Sequence, residues 1–528
     1  MKIFILTLTL FLYTILSCPE HFEDQNYEPT VLELDTLNNN FRNLQKQQKP
    51  RNMIITFNYD QFSNLDTKIA INQKFKEMIQ KAMDIAAKFF YDLITIVPKS
   101  LEQRKWNQEL NVCGGGNLLA KIKQEERAST RDTDLHIYVT YANEKRQTYT
   151  AYAASCQEIK GIGPTHGQIT FNFELITKSK KLDDPIEFSN LVDTVIHELI
   201  HVLGFNAQSY TKWVDKNKQP HINVSTQINV RGLPTTFLST PNVLKFAREY
   251  YNCPTLKGFP LENQGGNGNK DGHWENTAIL DELMRPINTL TVPIFSGFTA
   301  ALLMDTGYYS SINQKMVGSS FYGKGAGCDF LTKECDENSR EYCKENQKES
   351  CDYYNHAPST CENNQFMDKN CRFMRAKVDY KCYDPNNFNN KTTLYTGYYS
   401  QDFGYGAKCF NSSIVKKFAK EQDMSLKPSC YKYTCSNDNK SLTIVIRAKK
   451  IEQSQVIKCT QDGQLIQATG EYEGQLKCPD KIEEFCQYEY ICPNSCNKNG
   501  YCSKGKCVCL PQYRGDDCAL QNSALQNK

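Results

Sequence analysis

At 528 residues the chain is too long for one small core, and two to four domains are expected. A net charge of +3 with both signs interspersed argues against a dedicated nucleic-acid binder and leaves substrate charge open. The 23 cysteines crowd towards the C-terminal part, which reads as a disulfide framework made in an oxidising compartment rather than a cytosolic thiol set.

In chain order, Lys2 precedes a largely apolar run from Ile3 to Leu16, followed by Ser17 and Cys18. This reads as a secretory signal peptide over residues 1–17, because the run is too short to span a bilayer and polar sequence follows at once. Residues 18–50 are polar and read as a pro-segment and linker. A strand is expected over Met53–Phe57, then a helix from Ala70 to Val97 stopped by Pro98, with Phe75, Met78, Ile79, Ala82, Ile85, Ala86, Phe89 and Leu93 at helical spacing. Leu135–Tyr141 and Gly167–Asn172 read as strands, the second as a candidate edge for an extended substrate. A helix opening near Asn190, with Asp193 as its capping partner, carries the chemistry. Phe298–Met304 has helical spacing, with Gly307 placed to close it. Asn223, Asn390, Asn411 and Asn439 head candidate glycosylation sequons. No other run is long enough to cross a bilayer, and the polar stretch Gln521–Lys528 carries no glycolipid-anchor signal, so a soluble protein, secreted or in a vesicle lumen, is expected.

The chemical stretch is His197-Glu198-Leu199-Ile200-His201-Val202-Leu203-Gly204-Phe205. Imidazoles four residues apart share one helix face and can bind one zinc ion. Glu198 follows the first histidine, where a carboxylate can act as general base on a water at that metal. Gly204 suits a left-handed helix end that turns the chain towards a third ligand. Alone, the spacing is equally compatible with a polar helix face.

A third histidine does not follow at close spacing: the position three residues after Gly204 is Ala207. The segments Phe246–Gly258 and Leu261–Gly268, then His273-Trp274-Glu275 and Glu282-Leu283-Met284, resemble the leishmanolysin family of metallopeptidases. The resemblance extends upstream to Gly161–Pro164 and downstream to Phe298–Tyr309 and Gly327–Phe330. It implies one zinc per chain held by His197, His201 and His273, with Met284 as the Met-turn residue beneath it. It implies Glu198 as the catalytic residue and protein or peptide substrates. The family's histidine-flanked latency cysteine has a weak counterpart in Cys18, which is the odd cysteine if signal cleavage retains it.

Near the C-terminus, Cys492, Cys496, Cys502, Cys507, Cys509 and Cys518 could pair in 15 ways by spacing alone. They resemble an epidermal-growth-factor-like module of the tenascin type, which implies Cys492–Cys502, Cys496–Cys507 and Cys509–Cys518. Its expected role is a rigid spacer, a weak adhesion surface or a structural cap.

The expected architecture is α+β: a metzincin-like catalytic core split by an insertion, then a disulfide-rich domain and the EGF-like module. The boundaries are 51–205 for the catalytic part with the HExxH helix, 206–325 for the insertion, third histidine and Met-turn, 326–490 for the cysteine-rich domain and 491–519 for the module. The expected function is a secreted, zymogen-derived zinc endopeptidase. The competing reading is a non-enzymatic adhesion or matrix-binding protein on a peptidase scaffold.

Overall fold

Two helices form the spine of the N-terminal part, α1 (Ala70–Leu93) and α2 (Pro185–Val202). The computed structural model describes residues 30–32 and 48–522, apart from 109–110, 115–118, 128–130, 146–148, 179–181, 267, 287–291, 348, 370, 388–399, 418–424, 449–453 and 489. In α1 the buried residues Phe75, Ile79, Ala82, Met83, Ala86, Phe89, Phe90 and Leu93 form one stripe, as an amphipathic period requires. The helix stops at Leu93, short of the expected Val97. Ile94–Ile96 becomes strand β3, paired with Ser311–Ile312 on one side and Arg51–Asn52 on the other. A β-branched Ile-Thr-Ile run with strand partners on both sides favours the ladder, so Pro98 is not what ends the helix.

A five-stranded sheet lies against these helices, in the order β1-β5-β6-β4-β2. The strands are β1 (Thr30–Leu32), β2 (Ile55–Asn58), β4 (Leu135–Ala142), β5 (Ala151–Ile159) and β6 (Gly163–Asn172). β6 runs parallel to β4 and antiparallel to β5. Alternation places Leu135, Ile137, Val139, Ile169 and Phe171 in one core with α1 and α2. The opposite face carries Tyr138 against Trp106 and the Cys113–Cys156 disulfide.

This order corrects the expected substrate edge. Gly167–Asn172 lies in β6, which has β5 on one side and β4 on the other. The outward strand next to it is β5, flanked only by three-residue β1 at Gln157–Ile159. Residues 30–32, expected as part of a pro-segment, therefore contribute a strand.

Helix α2 opens at Pro185, five residues before Asn190. Asp184 is its N-cap, accepting from the Ile186 and Glu187 amides at 2.8 and 3.5 Å. An acidic cap with proline at the first helical position explains the earlier start. Between α2 and the cysteine-rich region lie α3 (Pro241–Tyr251) and α4 (Gly297–Asp305), the latter capped by Ser296 Oγ, which accepts from Phe298 N at 3.1 Å.

Gly307 follows α4 at φ +71°, and a Cβ there would stand 2.0 Å from the Val214 carbonyl oxygen. Gly307→Ala combines left-handed strain with a backbone clash and is expected to cost about 2–4 kcal/mol of stability. Denaturant unfolding of variant and parent measures this; an unchanged midpoint would contradict it.

Beyond residue 326 the chain builds a three-stranded sheet and a six-stranded sheet, in which Lys427–Cys435 pairs with Ala407–Ser412 and Leu442–Ile446. The 22 cysteines other than Cys18 pair in eleven disulfides. Cys253–Cys328 ties the end of α3 to the start of this region.

The terminal module is docked rather than projecting as a spacer. Tyr501 joins the largest hydrophobic core, its ring 5.3 Å from Phe89 and its hydroxyl donating to Asp92 Oδ2 at 2.8 Å. Lys81 Nζ on α1 donates to Asn499 Oδ1 at 2.6 Å, and Lys498 Nζ reaches the Asp183 carbonyl just before α2 at 3.1 Å. Among the described residues, no helix is long and apolar enough to cross a membrane.

Candidate active site

Helix α2 presents His197 and His201 one turn apart, and the loop through residue 273 brings a third imidazole against them. The three Nε2 atoms stand 3.1 Å (His197–His201), 3.2 Å (His197–His273) and 3.2 Å (His201–His273) apart. Each Nδ1 faces a carbonyl oxygen: Leu283 O at 2.8 Å, Phe205 O at 2.7 Å and Asn269 O at 3.2 Å for His197, His201 and His273. A carbonyl only accepts, so each Nδ1 carries the proton and each neutral ring keeps its lone pair on Nε2. Three lone pairs turned towards one point repel each other, and none can donate to another.

Burial keeps the rings neutral. It pulls His197 down to about 3 and His201 to about 4, while burial and the neighbouring imidazoles hold His273 well below the ordinary value. Neutral, convergent imidazoles, His201 and His273 buried and His197 half-buried, suit a cation. Zinc–nitrogen bonds of about 2.0–2.1 Å at tetrahedral angles place neighbouring nitrogens about 3.3–3.4 Å apart, so the triad fits zinc with only slight adjustment. Three such ligands would leave a fourth position open.

His273 is delivered by an aromatic anchor. Trp274 packs 4.7 Å from Phe205 and 5.0 Å from Phe259, and its indole donates to Thr299 Oγ1 at 2.9 Å. The Trp274 amide donates to the Met284 carbonyl at 2.9 Å, and Met284 is fully buried. Glu282 fixes the same turn, accepting from Ser296 Oγ at 2.9 Å, from Thr299 Oγ1 at 2.6 Å and from the Met284 amide. The turn in return offers Leu283 O to His197.

Glu198 is buried beside the triad. Burial pushes its carboxyl well above the usual range, while the Ala153 amide of β5 works the other way, and Oε2 has no hydrogen-bond partner among the described residues. Burial thus favours the protonated form of this carboxyl.

The other sequence candidates stand elsewhere. The pairs Cys492–Cys502, Cys496–Cys507 and Cys509–Cys518 are formed, so the close approach of Cys492, Cys496 and Cys507 offers no thiolate to a metal. His166 is a buried packing residue, 5.3 Å from Trp106, with Nδ1 2.9 Å from Thr165 Oγ1. Asn411 is built into the fold, bonded to Ser350 Oγ at 3.0 Å and to the Cys351 amide at 3.3 Å. Asn223 is exposed and Asn439 half-buried, whereas Cys18 and Asn390 lie outside the described residues. Sequence reasoning missed the carbonyls of Leu283, Phe205 and Asn269 and the Ala153 amide. Backbone groups leave no side-chain signature, so nothing in the sequence marks them.

The leishmanolysin peptidase family matches residues 66–362, more than half of the chain. The chain belongs to the leishmanolysin family. Leishmanolysin-family metallopeptidases are zinc-dependent, in keeping with the histidine triad. A leishmanolysin-like peptidase of Drosophila pseudoobscura pseudoobscura is 29% identical over 269 residues, 43% of this chain and 38% of the relative. One from Caenorhabditis briggsae is 30% identical over 245 residues, 39% and 35% of the two chains. A ciliated left-right organizer metallopeptidase of Danio rerio is 26% identical over 374 residues, 69% of this chain and 56% of the relative. The chain thus spans from 35% to 56% of the length of these relatives. A teneurin-like EGF domain matches residues 492–521, so the leishmanolysin-family region is followed by an EGF-like module.

Proposed function

We propose that this chain is a secreted zinc endopeptidase with one catalytic zinc held by His197, His201 and His273. The observation that carries the reading is the convergence of three unprotonated Nε2 atoms beside the unpartnered Glu198 Oε2. Held by these three imidazoles, a zinc ion would supply Lewis acidity and lower the pKa of a bound water to about 7. Glu198, its carboxylate favoured by the nearby cation, would take a proton from that water on Oε2 and pass it to the departing amine nitrogen. The depressed affinity of the triad for protons keeps the imidazoles available as ligands at neutral pH. The carbonyls of Leu283, Phe205 and Asn269 hold the rings in the required tautomer. An extended substrate adds to the outward edge of β5, whose Ala153 amide faces Glu198. Met284 supports the triad from below as a Met-turn residue.

The eleven disulfides support a secretory route, where an oxidising lumen forms them. Cys18, retained after signal cleavage, acts as a latency thiolate at the same site. Sequencing the N-terminus of the secreted precursor tests this, and a start beyond Cys18 would end the idea. Peptidase activity is tested by casein cleavage with the processed chain before and after zinc chelation, then after zinc is restored. Activity should vanish and return; activity indifferent to the chelator would overturn the zinc assignment.

A further inference from the structure

The face of α2 that carries His197 continues into a separate cavity. Because α2 opens at Pro185, Asp193 lies inside the helix rather than at its cap. Ile186, Asn190, Asp193 and His197 follow one another at spacings of four, three and four, so they share one face. Asp193 stands about 6 Å along the axis from His197. Ile186, Asn190 and Asp193 line a cavity of about 70 Å³, room for roughly five waters or one long side chain. The EGF-like module supplies a second wall with Ser495 and the Cys492–Cys502 disulfide. Val292 and Pro293, which follow Met284 in the chain, and the rings of Tyr383 and Tyr490 complete the lining. These walls are tied down. Lys498 Nζ holds the module to the Asp183 carbonyl at 3.1 Å, and Asn386 Nδ2 donates to Asp184 Oδ2 at the α2 cap at 3.3 Å. The Tyr490 hydroxyl accepts from the Ser319 amide at 2.7 Å and donates to the Ser319 carbonyl at 3.2 Å.

Two charged side chains line the cavity, Lys381 and Asp193, and only the first is balanced. Burial disfavours the Lys381 ammonium, but Tyr383, Glu187 and Asp384 outweigh it and hold its pKa above the ordinary value. Asp193 has no such support. Among the described residues no hydrogen bond or ion pair reaches its carboxyl, and burial pushes it up to about 7. The empty cavity therefore leaves this carboxyl divided between its two forms near neutrality. A cation beside it favours the carboxylate and offsets the cost of burying it. Ile186, Val292, Pro293 and the disulfide offer apolar surface to a methylene stem, and Asp193 offers a partner to its charged head. An acidic side chain would meet Asp193 as a like charge.

We propose that this cavity is a substrate side-chain subsite shared between α2 and the EGF-like module, in which Asp193 selects lysine or arginine. The inference rests on the peptidase reading, so binding is measured apart from cleavage. The full-length, zinc-loaded Glu198→Ala chain is titrated with fluorescein-labelled alanine–leucine peptides that carry one lysine, norleucine or glutamate at successive positions. At one position lysine should bind about tenfold more tightly than norleucine, and glutamate more weakly than either. Asp193→Asn in the same background should abolish the difference between lysine and norleucine. Ser495→Trp, which fills the cavity from the module side, should weaken the lysine peptide about tenfold. Zinc content and melting temperature check that both variants are folded. A lysine preference that survives Asp193→Asn, or the absence of any position at which lysine is preferred, would overturn the proposal. If Asp193→Asn fails to fold, the peptide series and Ser495→Trp decide, and undiminished lysine binding by Ser495→Trp refutes the shared subsite. Casein left intact by the parent, beside a lysine preference lost in Asp193→Asn, would instead fail the peptidase reading and leave the subsite standing.

Discussion

Replacing Glu198 by alanine should lower casein hydrolysis by about 10²–10⁴-fold while the zinc stays bound. The direction follows from what the side chain touches. Glu198 is no ligand of the triad, whose Nδ1 atoms are all held by backbone carbonyls, so its removal leaves the metal donors in place. It removes the buried carboxyl to which the proposed mechanism assigns the proton transfer with the attacking water. The loss should fall on kcat rather than KM, because the proton transfer belongs to the transition state. Stability should hold or rise. Burial disfavours the charged carboxylate, and Oε2 has no compensating hydrogen bond among the described residues. Activity within tenfold of the parent would remove Glu198 from the mechanism. Loss of zinc together with activity would give it a role in holding the metal instead.

The second large effect is expected at His273. His273→Ala leaves His197 and His201 on α2 but opens the third side of the site. Two imidazoles cannot form the three-ligand arrangement of a catalytic zinc, so the variant should lose its zinc on dialysis and show no measurable hydrolysis. The loop itself should persist, because Trp274 remains packed on Phe205 and Phe259 and bonded to Thr299. Melting temperature should therefore fall towards that of the zinc-free parent, as expected when a ligand specific to the folded state is lost. Metal analysis and thermal melts of both proteins check this. Full retention of zinc by the variant would mean that another group is the third ligand.

The sequence made part of this site legible and concealed the rest for physical reasons. His197, Glu198 and His201 are visible because helical periodicity converts a spacing of four into one face. His273 has no such signature: a long inserted segment separates it from α2, and family resemblance was its only pointer. Strand β5 went unread because its Ala151–Ile159 sequence is rich in alanine and polar residues, with little of the β-branched content that marks a strand. With β5 unmarked, β6 reads as an edge from sequence, although β5 and β4 flank it. Pro98 is the visible stop for α1 in the sequence, whereas strand pairing at Ile94–Ile96 ends the helix earlier. Docking of the EGF-like module rests on Tyr501 entering a core built by distant residues, which cysteine spacing does not encode.

The measurement that bears most directly on the central claim is a casein digest by the secreted, processed chain. It is run as the parent, as the chelated parent restored with zinc, and as Glu198→Ala. The account predicts internal cleavage by the parent, loss and recovery through the chelation cycle, and no cleavage by the folded, zinc-loaded variant. Equal cleavage by the parent and Glu198→Ala, or cleavage that survives complete removal of zinc, would contradict it.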